Sequence, residues 1–168
     1  MMIKLNTLIL LAFIMLTVTC NAQNVNDTTT SKPKSLIVQK AEKMFAKYLP
    51  TILESKGEEA FLNLQETYVG DFTNDGIDDV IIWFDYTFGG NSIAGTECAF
   101  YETVGNDVKV VAGFEPDYMF TISTIKNGIV HAEKIQYAVG DGHCCPSIIT
   151  PIELIYRDNK IYVYTEKK

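Results

Sequence analysis

Four carboxylates lie within nine residues, in the stretch GDFTNDGIDD at positions 70–79. Hard cations such as calcium take six to eight oxygen ligands, and a short loop supplies them from alternating positions. The candidate ligands are Asp71, Thr73, Asp75, the carbonyl of Ile77, and Asp79. Without a cation, each pair of neighbouring carboxylates in a partly shielded site repels by on the order of 1 kcal/mol. The spacing therefore predicts a calcium site.

Two other interpretations of the same loop stay open. Asp and Thr side chains can bond their own backbone in a turn that holds no metal. A catalytic pair of carboxylates, as in glycoside hydrolysis, is the third, but the close spacing disfavours it. No residue is assigned a catalytic role from the sequence.

The loop must be positioned by the elements around it. Directly after it, Val80 to Tyr86 is the most apolar segment of the chain and indicates a central strand. Before it, residues 36–55 carry apolar side chains at helical spacing, with Ser35 as a natural N-cap. Pro50 is expected to kink or split this helix.

From Glu66 onward the sequence predicts strands joined by short turns. The predicted strands are 67–69, 80–86, 96–103, 108–114, 119–125, 129–138, 152–156 and 160–165. Asn127-Gly128 is a strong hairpin signal because both residues accept positive φ. The predicted fold class is α+β, with an N-terminal helix packed on a mostly antiparallel meander sheet of about six to eight strands.

The loop resembles the Asp-x-Asn-x-Asp-Gly-x-x-Asp calcium loops of FG-GAP and VCBS repeats, in which a strand also follows directly. The resemblance implies that Asp79 supplies the closing carboxylate. Thr73 departs from the pattern, which has Asn or Asp at that position. Those families repeat the loop around a propeller, whereas this chain has one copy. An EF-hand fits poorly because its twelfth position, Ile82 here, should be a glutamate.

The N-terminal segment predicts export. Residues 1–22 combine Lys4 with an apolar core of 11 residues from Leu8 to Val18, too short to span a bilayer. Cleavage after Ala22 competes with a lipoprotein-type outcome in which Cys20 carries a lipid. Polar residues 23–35 then form a flexible linker, and 36–168 a single domain. The expected location is the periplasm or a membrane-anchored lipoprotein, with secretion as a further outcome.

Export exposes cysteines to an oxidising space, where they tend to pair. We expect a disulfide between Cys98 and either Cys144 or Cys145, which would contribute about 2–4 kcal/mol. A vicinal Cys144–Cys145 bridge and a metal site that includes His143 are the alternatives. The segment from Gly140 to Ser147 (GDGHCCPS) resembles small exported bacterial lipoproteins of the LppP/LprE kind. That group implies no activity.

Composition narrows the function classes. The formal net charge is −7 and the chain has a single arginine, Arg157, which argues against nucleic acid as a partner. Membrane association is expected only through a lipid at Cys20. The leading hypothesis is a calcium-stabilised, non-enzymatic binding domain of the bacterial cell envelope, with a protein or glycan partner. The alternatives are an envelope hydrolase that uses Asp or Glu residues, and an inhibitor or immunity-type protein that blocks an enzyme.

Overall fold

The computed structural model describes residues 34–89, 92–142 and 145–165. The predicted signal segment, Cys20 and the linker up to residue 33 lie outside these ranges. One helix precedes eight strands in the described part of the chain. They are α1 (Leu36–Lys56), β1 (Phe61–Gly70), β2 (Asp79–Thr87), β3 (Gly95–Val104), β4 (Asp107–Phe114), β5 (Met119–Lys126), β6 (Ile129–Gln136), β7 (Ile148–Arg157) and β8 (Lys160–Thr165).

Helix α1 begins at the predicted cap, where Ser35 Oγ accepts a hydrogen bond from Val38 N at 3.5 Å. The helix is not split at Pro50, because it continues to Lys56 and ends before Gly57. Proline removes one backbone hydrogen bond. Apolar side chains on both sides of it, Phe45 and Ile52, pack into the same core cluster and hold the two halves together.

The prediction of a single meander sheet under the helix is wrong. The strands form two four-stranded antiparallel sheets, in the orders β1-β2-β3-β4 and β5-β6-β7-β8, and the fold is mostly β. A helix about 10 Å wide covers only two or three strands spaced about 4.8 Å apart. The apolar faces that the helix does not cover must be buried elsewhere, and the two sheets bury these faces against each other. The chain changes sheet at residues 115–118, which contain Pro116 and are not a tight hairpin turn.

Strand β2 is buried on both faces, because it lies in the middle of three layers: α1, the sheet β1–β4 and the sheet β5–β8. Its odd-numbered side chains Ile81 and Trp83 join the core between the sheets, while Val80, Ile82 and Phe84 join the core under α1. The buried side chains that complete the intersheet core are Phe72, Cys98, Phe100, Phe120, Ile122, Val130, Ala132, Ile152 and Leu154. The continuous apolar run that indicated a central strand is thus explained by burial against two different partners.

Two hairpins form at the expected positions. Asn127 and Gly128, between β5 and β6, have φ of 53° and 74°. Asp158 and Asn159, between β7 and β8, have φ of 53° and 58°. Two successive positive φ values suit the right-handed twist of the flanking strands. These local predictions are confirmed.

Candidate functional site

The acidic loop, residues 71–78, joins β1 to β2 and is anchored by an aromatic side chain. Phe72 is 1% exposed and lies edge-on to Phe100 and Tyr156, with ring centroids 5.1 Å and 5.4 Å away. The loop also follows a close approach of the two sheets, since a Cβ on Gly70 would lie 2.7 Å from Ile125 Cβ. Phe72 is not among the site residues predicted from the sequence. The available signal was a large aromatic residue inside an otherwise polar loop.

Asp79, at the start of β2, is fully buried and bonded on both oxygens. Its Oδ1 accepts from Thr103 N at 2.9 Å, and its Oδ2 accepts from Thr73 N at 3.1 Å and Thr73 Oγ1 at 2.9 Å. Burial raises the pKa of Asp79, and these hydrogen bonds oppose that rise. Asp79 therefore ties the loop to β3 as well as beginning β2.

Asp71 folds the loop around itself. Its Oδ1 accepts from Asp75 N at 3.1 Å and its Oδ2 from Gly76 N at 2.8 Å. Burial acts to raise the pKa of Asp71, but these backbone donors outweigh it and lower the pKa. Asp75 Oδ1 accepts from Ile77 N at 2.9 Å, and both residues are exposed. The turn is thus closed by its own side chains.

The predicted ligands converge only in part. Thr73 Oγ1 lies 3.3 Å from Asp71 Oδ1 and 2.9 Å from Asp79 Oδ2, so three of the predicted ligand oxygens lie close together. Calcium takes six to eight oxygens. Across the described ranges, no three acidic, histidine or cysteine residues are arranged to hold a metal ion. The residues fit a calcium ion poorly in this arrangement, and calcium stays a prediction.

Calorimetry tests that prediction. If the loop binds calcium, a saturating concentration should raise the melting temperature, and a chelator should reverse the rise. Ligand at 100 times its Kd adds about 2.7 kcal/mol to the free energy of unfolding. Asp75→Asn removes an exposed carboxylate of the loop and should abolish the shift, whereas Asp158→Asn, in the β7–β8 turn, should not. An unchanged melting temperature in calcium would show that the loop is a metal-free turn.

The predicted disulfide involves a residue of the intersheet core. Cys98, on β3, is 2% exposed and is a free thiol, with no bridge to Cys145. Burial, and then the charge of Glu97, raise the pKa of this thiol well above its ordinary value. Cys144 and His143 lie outside the described residues. The disulfide of Cys98 with Cys144 or Cys145 therefore stays a prediction, and nonreducing mass mapping is its test.

Asp141 organises the second segment singled out by the sequence. Its carboxylate accepts from Ala138 N at 2.7 Å, from Ser147 N at 2.8 Å and from Ser147 Oγ at 2.9 Å. Donation from Ala138, followed by that from Ser147, lowers the pKa of Asp141. The aspartate therefore closes the loop between β6 and β7.

An apolar cavity of about 310 Å³ lies beside Trp83, at the middle of β2. Its walls come from β2, β3, β5, β6 and the loops before β3 and β7. They are formed by Trp83, Ser92, Ile93, Thr96, Met119, Phe120, Thr121, Ile135, Tyr137 and Pro146. Trp83 Nε1 donates to the Phe120 carbonyl at 3.0 Å, and Phe120 N donates to Thr96 Oγ1 at 3.0 Å. These bonds join the two sheets at the cavity wall.

An acidic cleft of about 270 Å³ adjoins this cavity. Glu97, Glu115 and Asp117 line it, and Lys56 Nζ lies 2.6 Å from Glu97 Oε1 and 2.5 Å from Glu115 Oε1. Burial raises the pKa of Glu97, and Lys56 offsets part of the rise. Neither the cavity nor the cleft is predictable from the sequence, since the residues that line them are separated along the chain and carry no motif.

Comparison of the chain with protein-family models, with curated proteins and with solved structures gives no match. The resemblances to calcium loops and to exported lipoproteins therefore stay predictions. Within the described residues, the structure has no helix with the length and apolar character needed to cross a bilayer.

Proposed function

We propose that the protein is an exported, non-enzymatic binding domain of the bacterial cell envelope, whose ligand site is the apolar cavity between the two sheets. The observation that supports this most directly is the cavity itself. Its volume of about 310 Å³ falls in the range of small-molecule sites, about 300–1,000 Å³. Export is supported by the pattern of residues 1–22.

The lining indicates what the cavity binds. Most of its side chains are apolar, and the described lining contains no carboxylate, histidine or cysteine. The indole N–H of Trp83 and the Thr96 hydroxyl are already engaged with the backbone of Phe120. Recognition therefore rests mainly on the burial of apolar surface, at about 25 cal/mol for each Å² removed from water. The ligand is a small molecule with a compact apolar body.

A hydrolase is the second candidate, and the acidic cleft is the observation in its favour. A general acid needs a carboxyl group that is free to give a proton to the substrate. Glu97 is the buried carboxylate of the cleft, and Lys56 holds it in an ion pair. Binding is therefore favoured over hydrolysis. The inhibitor-type alternative would block an enzyme with a protruding loop, either 88–95 or 140–147. Each of these loops contains two residues outside the described ranges, 90–91 and 143–144.

The single tryptophan, Trp83, lines the cavity and reports on its contents. Titration with octan-1-ol should change the Trp83 emission in a saturable way. Thr121→Phe places a ring at the cavity wall and should weaken octanol binding by about tenfold or more, the equivalent of 1.4 kcal/mol. Thr124→Phe, on the same strand and exposed, is the matched control and should leave the affinity unchanged. A non-saturating emission change, or equal affinity in both variants, would contradict the proposal.

A further inference from the structure

We infer that the ligand carries a cationic amine beside its apolar body, with the amine in the acidic cleft. This inference rests on the proposed function. The apolar cavity and the acidic cleft share two wall residues, Thr96 and Met119. The cavity and the cleft therefore lie side by side, and a ligand a few bonds longer than the cavity would extend from one to the other.

The charge of the cleft favours a cation. Three carboxylates line it, those of Glu97, Glu115 and Asp117. Two cations lie against it, Lys56 and Lys134, and the Lys134 ammonium is 4.2 Å from the centre of the Tyr118 ring. Carboxylates outnumber cations by three to two, so a positive ligand group is attracted and a negative one is repelled.

The buried carboxylate of the cleft shares its cation with a second carboxylate. Glu97 is 8% exposed, and Lys56 Nζ lies 2.6 Å from Glu97 Oε1 and 2.5 Å from Glu115 Oε1. One lysine therefore compensates two carboxylates, and Asp117 adds a third negative charge to the same cleft. An ammonium group of the ligand would neutralise this excess negative charge.

The cleft has aromatic walls that suit an ammonium group. The rings of Tyr86 and Tyr118 line it, and Lys56 Nζ is 5.8 Å from the centre of the Tyr86 ring. The electron-rich face of a tyrosine ring attracts cations at such distances. Tyr86 packs directly on Gly95, where an added Cβ would lie 2.7 Å from Tyr86 Oη. The glycine thus sets the position of this wall.

Three probes with the same octyl chain test the inference: octan-1-ol, octylammonium and octanoate, each titrated against Trp83 emission at low salt. Octylammonium should bind about tenfold or more tightly than octanoate, with octan-1-ol between them. The double variant Glu115→Gln/Asp117→Asn should remove most of this preference and leave the affinity for octan-1-ol unchanged. Glu54→Gln/Glu133→Gln, which removes the same charge from exposed sites elsewhere, should keep the preference.

The outcomes separate the two proposals. If octan-1-ol binds and octanoate binds as tightly as octylammonium, the amine inference fails and the binding function stands. If both double variants lower the preference equally, the preference comes from overall charge, and the cleft assignment fails. If none of the three probes binds, the proposed function fails and the inference fails with it.

Discussion

Phe72→Ala should lower the free energy of unfolding by about 3–5 kcal/mol, the usual effect of truncating a buried phenylalanine. The side chain is 1% exposed and contacts the rings of Phe100 and Tyr156 in the intersheet core. Its removal would leave a cavity between two sheets that several cross-sheet contacts hold in place. Urea unfolding, followed by far-ultraviolet circular dichroism, measures the change.

Phe61→Ala is the matched control, since Phe61 is 49% exposed at the start of β1. The same atoms are removed there, but about half of the surface of Phe61 already contacts water, so the loss should be clearly smaller. Equal losses in the two variants would show that Phe72 does not anchor the acidic loop to the core.

Lys56→Met should lower the free energy of unfolding by about 3 kcal/mol or more at pH 7, as is typical when one partner of a buried ion pair is removed. Both side chains of the Lys56–Glu97 pair are 10% exposed, and their charged atoms lie 2.6 Å apart. Methionine retains most of the aliphatic stem, so the packing loss is small. What remains is a buried carboxylate without its counter-charge.

The effect of Lys56→Met should depend on pH. Burial already raises the pKa of Glu97 above its ordinary value of 4.5, and Lys56 offsets part of this rise. Without Lys56 the folded pKa rises further, so the folded state binds a proton more tightly than the unfolded state. The contribution of Glu97 to stability is then greatest below pH 4.5 and is lost as the pH rises through the raised pKa. The penalty of the variant should therefore shrink as the pH falls from 7 towards 4.5.

The double variant Lys56→Met/Glu97→Gln checks the cause. An amide in place of the carboxylate removes the uncompensated charge, so most of the lost stability should return at pH 7. A penalty that stays constant with pH, and that Glu97→Gln does not relieve, would mean that Lys56 acts through packing alone.

Features that depend on neighbours in the sequence were predictable. Ser35 caps α1 because its hydroxyl faces the amide of Val38, three residues later. Asn127-Gly128 forms a hairpin because these two residues tolerate positive φ. The apolar run from Val80 also identified the central strand correctly. For the cap and the hairpin the deciding interaction lies within a few residues, and for the strand an uninterrupted apolar run predicts burial on both faces.

Features that depend on distant contacts were not predictable in this way. Alternation along a strand shows which face is buried but not what buries it, so two sheets were read as one. Asp79, directly after the acidic loop, tolerates burial because Thr103 on β3 donates a hydrogen bond to it, while Asp75 in the loop stays exposed. From the sequence alone, both carboxylates were candidate ligands of one calcium site. Only the packing of β3 against β2 distinguished them.

The sequence by itself determined the helix cap, the hairpin turns and the acidic loop, since each follows from local backbone and side-chain preferences, and its longest apolar run marked the central strand for burial. The tertiary structure alone decided the two-sheet architecture, the apolar cavity and the acidic cleft. Lys56 ends a helix, Glu97 lies on β3, and Glu115 lies in the connection between the sheets. Their charges meet only because burial of apolar surface brings these segments together, and that burial is a property of the whole fold.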